Sequence, residues 1–218
     1  MTLTLVKNNV SESQWPVAYR VFRILTTILL LAGCTGLPAP QTTSLTIYIL
    51  EAQRAAKPAQ IKRNLVLAIS EPEARPGFDT TQITYVQQPH ELNYFATSQW
   101  ADTPAHMLGP LLVQTMEQTG SFRAVVQPPD AIPADVRLET ELVRLWQNFS
   151  TQPSQVQLTL RAQLIDVRGQ RVLAIKQFDE TEAATSENAY GGVMATNRAL
   201  QRMLGQVADF CVSESVIK

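Results

Sequence analysis

Val136-Arg137-Leu138-Glu139-Thr140-Glu141-Leu142 places an apolar or small side chain at every second position and a charged one between. Successive side chains of an extended strand point to opposite faces, so this stretch predicts a strand with one face buried and one face wet. Val156-x-Leu158-x-Leu160-x-Ala162-x-Leu164 repeats the pattern against Gln157, Thr159, Arg161 and Gln163. Arg168-Gly169-Gln170 then turns the chain into a third run, Val172–Phe178, which predicts a meander.

Working outward, Leu45–Leu50 and Leu65–Ile69 are short apolar runs of β type, and Glu51–Gln60 between them reads as a polar loop. Glu71–Asp79, with Pro72, Pro76 and Gly77, predicts an irregular crossing. Gln82–Gln87 and Glu91–Thr97 flank Gln88-Pro89-His90 and form an expected hairpin. Asp102-Thr103-Pro104 supplies capping oxygens followed by a residue with no N–H to satisfy, a helix start. Leu108, Leu111, Leu112 and Thr115 share one face of that helix, and Gly120 ends it. Phe122–Val126 is the next expected strand, closed by Pro128-Pro129. From about Glu187 to Val212, Tyr190, Val193, Met194, Asn197, Leu200, Leu204, Val207 and Cys211 recur at spacings of three and four, the stripe of a long amphipathic helix. A mixed sheet covered by helices buries these faces economically.

The amino-terminal end carries a different kind of signal. Arg20 and Arg23 precede the apolar run Ile24–Leu31, which closes on Leu31-Ala32-Gly33-Cys34. That apolar core is well short of the roughly 20 residues a bilayer span needs, which argues against a membrane-spanning helix with an incidental cysteine. Against an ordinary secretory signal, all four positions fit a bacterial lipoprotein signal. Ala32 and Gly33 are small enough for a signal peptidase cutting after Gly33, and Cys34 offers the thiol that lipid transfer needs. The expected organisation is a signal peptide over 1–33, a lipidated tether over 34–44, one domain over 45–212 and a tail over 213–218. The tether contains Gly36, Pro38 and Pro40 and has no apolar periodicity. Fully extended, about 10 residues reach some 35 Å, which keeps the domain close to the membrane holding it. The covalent lipid on Cys34, palmitate included, is the one expected modification, and no cofactor is expected.

Composition narrows the function. Removing the leader leaves about 185 residues, enough for one domain with a sizeable core. The chain has 18 basic and 19 acidic residues and no Lys/Arg run, so it lacks the charge pattern of a nucleic-acid binder. With Cys34 lipidated, Cys211 has no intramolecular partner and is expected to be a buried apolar residue. His90 and His106 are not at metal-ligand spacing, and both are expected on the surface. Asp179, Glu180 and Glu182 can be read as acid–base carboxylates or as a solvated strand end, and the second reading is the simpler. No nucleophile elbow, phosphate loop or dinucleotide fingerprint is present, so an enzyme is not expected. Phe78, Tyr85, Tyr94, Phe95 and Trp100 cluster in sequence; they are either core or a contact surface for a partner protein or an acyl chain.

Tyr48-x-Leu50, Ile83-Thr84-Tyr85, Glu91-Leu92-Asn93-Tyr94-Phe95-Ala96 and Trp100-Ala101-Asp102-x-Pro104 occur in an order that resembles a known family. Leu111-Leu112, Gly120-x-Phe122-x-x-Val125, Ala134-Asp135-Val136-x-Leu138, Leu160-x-Ala162-x-Leu164-x-Asp166 and Ala195-x-Asn197-x-Ala199-Leu200 continue it. The family is the auxiliary lipoprotein component of ABC-type transport systems, which includes the Pqi-system lipoprotein and the accessory lipoproteins of MCE operons. Pro76-Gly77-Phe78-Asp79-Thr80 departs from it, since many members carry a Leu-Pro-x-Tyr-Leu-like segment there. The resemblance implies a three-layer α/β fold akin to the amino-terminal domain of TolB. It also implies a periplasm-facing lipoprotein that works with an ABC ATPase, a permease and an MCE-domain protein to move lipids between the inner and outer membranes. Self-association of copies is a further expectation. Thr35, in place of the Asp that retains lipoproteins in the inner membrane, points to the outer membrane. The alternative is a stand-alone envelope lipoprotein that binds a small apolar ligand or scaffolds other proteins.

Overall fold

β7 (Val136–Asn148) is the spine of the molecule, a 13-residue strand whose buried and part-buried residues alternate as its sequence requires. The structure, a computed structural model, describes residues 22, 44–51, 62–127 and 133–216. Gly33, Cys34, the tether up to residue 43, most of the expected loop at Glu51–Gln60, and Pro128-Pro129 lie outside the described residues. The chain divides into two units: Met1–Thr43, where Phe22 alone is described, and Ser44–Lys218, which forms the sheet and the two helices that cover it.

On one side β7 pairs antiparallel with β8 (Gln155–Asp166) along its length, from Val136↔Asp166 to Asn148↔Gln155. β8 carries β9 (Arg171–Ala183), so the expected meander is present, with a third strand that runs five residues past Phe178. On its other side β7 meets three short parallel partners in succession. β2 (Val66–Ile69) pairs through Leu67↔Val136, β3 (Glu73–Ala74) through Glu73↔Glu141, and β4 (Gln82–Val86) through Tyr85↔Gln147. β6 (Ala124–Val126) extends the sheet beyond β2, while β5 (Asn93–Trp100) and then β1 (Thr46–Tyr48) extend it beyond β4. The crossing read as irregular over Glu71–Asp79 thus contains a two-residue strand.

A register shift in β7 between Leu142 and Arg144 resets the alternation. Leu142 and then Leu145 and Gln147 are the buried positions, whereas an unbroken strand would have buried residue 144. A bulge adds one unpaired residue and re-aims those after it.

The first helix begins and ends on the signals expected, and the second is capped at both ends by contacts of the same kind. In α1 (Pro104–Thr119), Thr103 accepts from the His106 N–H at 3.3 Å, and Gly120 at φ 61° donates its N–H to the Glu117 carbonyl. In α2 (Ala189–Glu214), the Asn188 side chain accepts from the Gly191 N–H at 2.9 Å. At its other end Arg63 donates to the Val212 carbonyl at 3.1 Å, satisfying one of the last carbonyls a helix leaves unpaired.

α1 and α2 touch and share one contiguous core with the sheet. Leu67, Ile69, Leu138, Leu142, Leu160 and Leu164 from the strands meet Leu108, Leu112 and Met116 of α1 and Leu200, Met203 and Leu204 of α2. A smaller cluster of Val66, Ala68 and Val126, partly covered by Ala124 and Ala134, lies apart from it. The α/β class and the mixed sheet with covering helices are as expected.

The α2 stripe differs from the one expected. Val193, Leu200, Leu204, Val207 and Cys211 are buried, but Tyr190 and Met194 are exposed. Gly191, Gly192, Ala195 and Ala199 take the contact in that half of the helix. A Cβ on Gly191 would lie 2.1 Å from the Ser186 carbonyl oxygen, and one on Gly192 would lie 2.3 Å from Gln147 Oε1. The glycine pair is a site of close packing.

Candidate functional site

The five aromatic residues singled out by sequence are not brought into one surface. Trp100 ends β5 and is buried in the core. Tyr85 and Phe95 join Phe149 in a three-ring cluster, with centroids 4.7, 5.7 and 6.3 Å apart and all three rings partly buried. Phe78 packs near Trp146 at 6.0 Å, and Arg144 lies over the Trp146 ring. Only Tyr94 is exposed.

Asp179, Glu180 and Glu182 lie within β9 and not beyond its end, which corrects the reading of a solvated strand end. Arg198 donates to Glu182 at 2.6 Å, and Arg202 donates to Glu180 at 2.7 Å and to Glu182 at 2.8 Å. Arg198 and Arg202 are four residues apart on α2 and therefore face the same strand. The Arg198 hydrogen bond holds the Glu182 carboxyl below its ordinary range, and Gln177 followed by Thr159 does the same for Asp179. Carboxylates held ionised by fixed partners are poorly suited to giving and taking protons near neutrality. Glu180 and Glu182 fasten α2 to the sheet, whereas Asp179 is held by Thr159 and Gln177 within it.

His90 is exposed at the β4–β5 turn with φ 67°. His106 Nδ1 is hydrogen-bonded to the Asp102 carboxylate at the start of α1; this bond raises the imidazole pKa above its ordinary value and lowers that of Asp102. Cys211 is buried, and desolvation pushes its thiol up to about 12. Among the described residues, no group of three His, Cys, Asp or Glu side chains is placed to hold a metal ion, and no helix is long and apolar enough to cross a membrane.

The exposed apolar surface lies at the sheet edges. Leu45, Ile47 and Ile49, on and beside β1, are each at least half exposed, while Tyr48 and Leu50 between them turn into the protein. Tyr190 stands 6.5 Å from Tyr48, and Met194 follows one turn along α2. Asn197, a turn further, accepts the Glu51 N–H at 3.0 Å and ties the end of this segment to the helix. Sequence reading found the strand but not its outward row. The signal was present, because Leu45 to Leu50 is apolar on both faces although β1 is an edge strand. At the opposite edge β9 pairs, among the described residues, with β8 alone and exposes Val172 and Ile175.

Comparison with known proteins places this geometry. The family model for the ABC-type transport auxiliary lipoprotein component matches residues 48–208, which spans β1 to α2. Protein XCC0632 from Xanthomonas campestris superposes with a TM-score of 0.72 at 22% identity, over 78% of this chain and 96% of that one. An uncharacterised protein superposes at 0.61 with 11% identity, over 77% and 98%. The hypothetical protein CT253 from Chlamydia trachomatis gives 0.51 at 9% identity, over 70% and 98%. Likenesses at these identities concern the fold. Among the curated proteins compared, none matches.

Proposed function

The chain belongs to the family of ABC-type transport auxiliary lipoprotein components, and from that premise we propose that it is the membrane-anchored, periplasm-facing accessory subunit of an MCE-type ABC transport system that moves lipids between the inner and outer membranes. Its role is contact and not catalysis. Diacylglycerol on Cys34 and acylation of the new amino terminus hold it at the membrane, and Thr35 directs it to the outer one. The partners are the MCE-domain protein, the permease and the ATPase of the same system.

The observation that carries this reading beyond family membership is the apolar row Leu45, Ile47 and Ile49, flanked by Tyr190. Soluble domains seldom leave several large apolar side chains exposed together unless something covers them. The row begins about ten residues after Cys34, so the extended chain keeps it within some 35 Å of the anchor. An MCE-domain protein reaching across the periplasm would meet this edge next to the membrane. Purification of the lipidated chain from envelopes after mild crosslinking, with a photoreactive residue at position 47, tests the assignment. Recovery of the MCE-domain protein or permease supports it; recovery of the chain alone, with an apolar ligand retained in native mass spectrometry, favours the stand-alone lipoprotein instead.

A further inference from the structure

We propose that the seam between β7 and the first turns of α2 is a binding site for one internal water molecule, held by Gln147. Gln147 is the penultimate residue of β7, one of the buried positions that follow its bulge, and is 2% exposed. Its amide nitrogen donates to the Ser154 hydroxyl at 2.8 Å, and its carbonyl oxygen Oε1 is buried with no hydrogen-bond partner among the described residues. A buried carbonyl that gives up its hydration without a replacement costs stability, and folded proteins seldom leave one so. Oε1 lies against α2, since a Cβ built on Gly192 would stand 2.3 Å from it. Gln147 and Gly192 both line a cavity of about 10 Å³, room for a single water, whose walls also include Thr84 of β4, Thr196 of α2 and Trp100.

The polar groups of the cavity specify water. The Thr84 hydroxyl donates to the Leu145 carbonyl, and the Thr196 hydroxyl donates to the Gly192 carbonyl at 2.9 Å. Both hydroxyl hydrogens are therefore committed, while each oxygen still has acceptor capacity. Gln147 Oε1 and the two threonine oxygens are then all acceptors, and a water supplies the missing donors, one for Oε1 and one for a threonine. Two bonds are the fewest that internal waters usually make. A cation finds no carboxylate in these walls, and an apolar guest would leave Oε1 unpaired. Turning the Gln147 amide over exchanges the unpaired acceptor for N–H donors, which the water oxygen accepts, so the site survives either orientation. The water joins β4, β7 and α2 at the turn of the helix that presents Tyr190 beside Tyr48. Its presence is independent of the transport assignment.

The test is a crystal structure of the full chain at a resolution that orders internal waters. One water is expected in this cavity, about 2.7–3.2 Å from the Gln147 side-chain amide and from a threonine hydroxyl. A cavity without density, or a Gln147 amide that bonds directly to a protein group there, overturns the proposal. In solution, oxygen-17 relaxation dispersion should count one fewer long-lived water in Gln147→Met, which keeps the side chain's length and removes the amide. An equal count in a Gln147→Met protein that melts cooperatively also overturns it. Should that variant fail to fold, the crystal structure of the parent decides.

Discussion

Gly191→Ala reverses the usual effect of that substitution, and the reversal can be worked from the structure. In an ordinary helix the change stabilises by about 1 kcal/mol, because glycine carries a larger entropic cost than alanine. Here the new Cβ would stand 2.1 Å from the Ser186 carbonyl oxygen and 2.6 Å from the Ser186 nitrogen. Both are backbone atoms, so no side-chain rotation relieves the overlap. Either residues 185–188 or the first turn of α2 must retreat by about 1 Å to restore ordinary contact, at an overpacking cost of about 1–3 kcal/mol. The same shift pulls Asn188 off the Gly191 N–H, a cap worth about 1 kcal/mol. Set against the helix gain, the net loss is about 1–3 kcal/mol, which lowers the melting temperature of a domain this size by roughly 3–10 °C. Urea titration and a thermal melt read it directly, and amide exchange should accelerate first in the opening turn of α2. A Gly191→Ala protein as stable as its parent, or more so, would refute the close-packing explanation of the glycine pair.

The same geometry sets four further outcomes. Cys211 should resist thiol reagents at pH 8 in the folded protein and react fully in urea, since burial suppresses its thiolate. His106 should titrate by NMR above the ordinary histidine value and return towards it in Asp102→Asn; any stability the pair gives is full below about pH 6.5 and is lost as pH rises through the raised His106 value, and at the acid end as pH falls through the lowered Asp102 value. Arg202→Ala, which removes the contacts to Glu180 and Glu182, should cost no more than about 1 kcal/mol because the guanidinium is partly solvated, and urea denaturation would show it. Phe178→Ala, by contrast, empties a fully buried site that packs edge-on to Phe210 at 5.8 Å and should cost about 3–5 kcal/mol in the same assay.

Much of the fold was legible because its signals are local. The alternation in Val136–Leu142 and Val156–Leu164, the cap at Thr103 and the stop at Gly120 each depend on neighbours within a few residues. What was not legible depends on contacts distant in the chain. The bulge after Leu142 carries no glycine or proline to mark it. Tyr190 and Met194 have the right spacing for a core stripe, yet the face that meets the sheet is made of Gly191, Gly192 and Ala195, whose small side chains give a weak apolar signal. Glu180 and Glu182 look solvated until Arg198 and Arg202 are folded onto them from α2. The aromatic residues concentrated between Phe78 and Trp100 are adjacent in sequence but divide among the core, two ring pairings with β7 and its end, and the surface. The apolar edge at Leu45–Ile49 was written in the sequence as a strand, and only its position at the rim of the sheet reveals a surface.

The central proposal is that the domain acts in transport as a membrane-tethered partner and not as a free protein. Complementation of a strain lacking this chain by a Cys34→Ala variant, verified as folded by its thermal melt and expressed at the normal level, tests that most directly. Loss of lipid transport with the parent restoring it is the predicted result; full transport by the folded, unlipidated variant would contradict it.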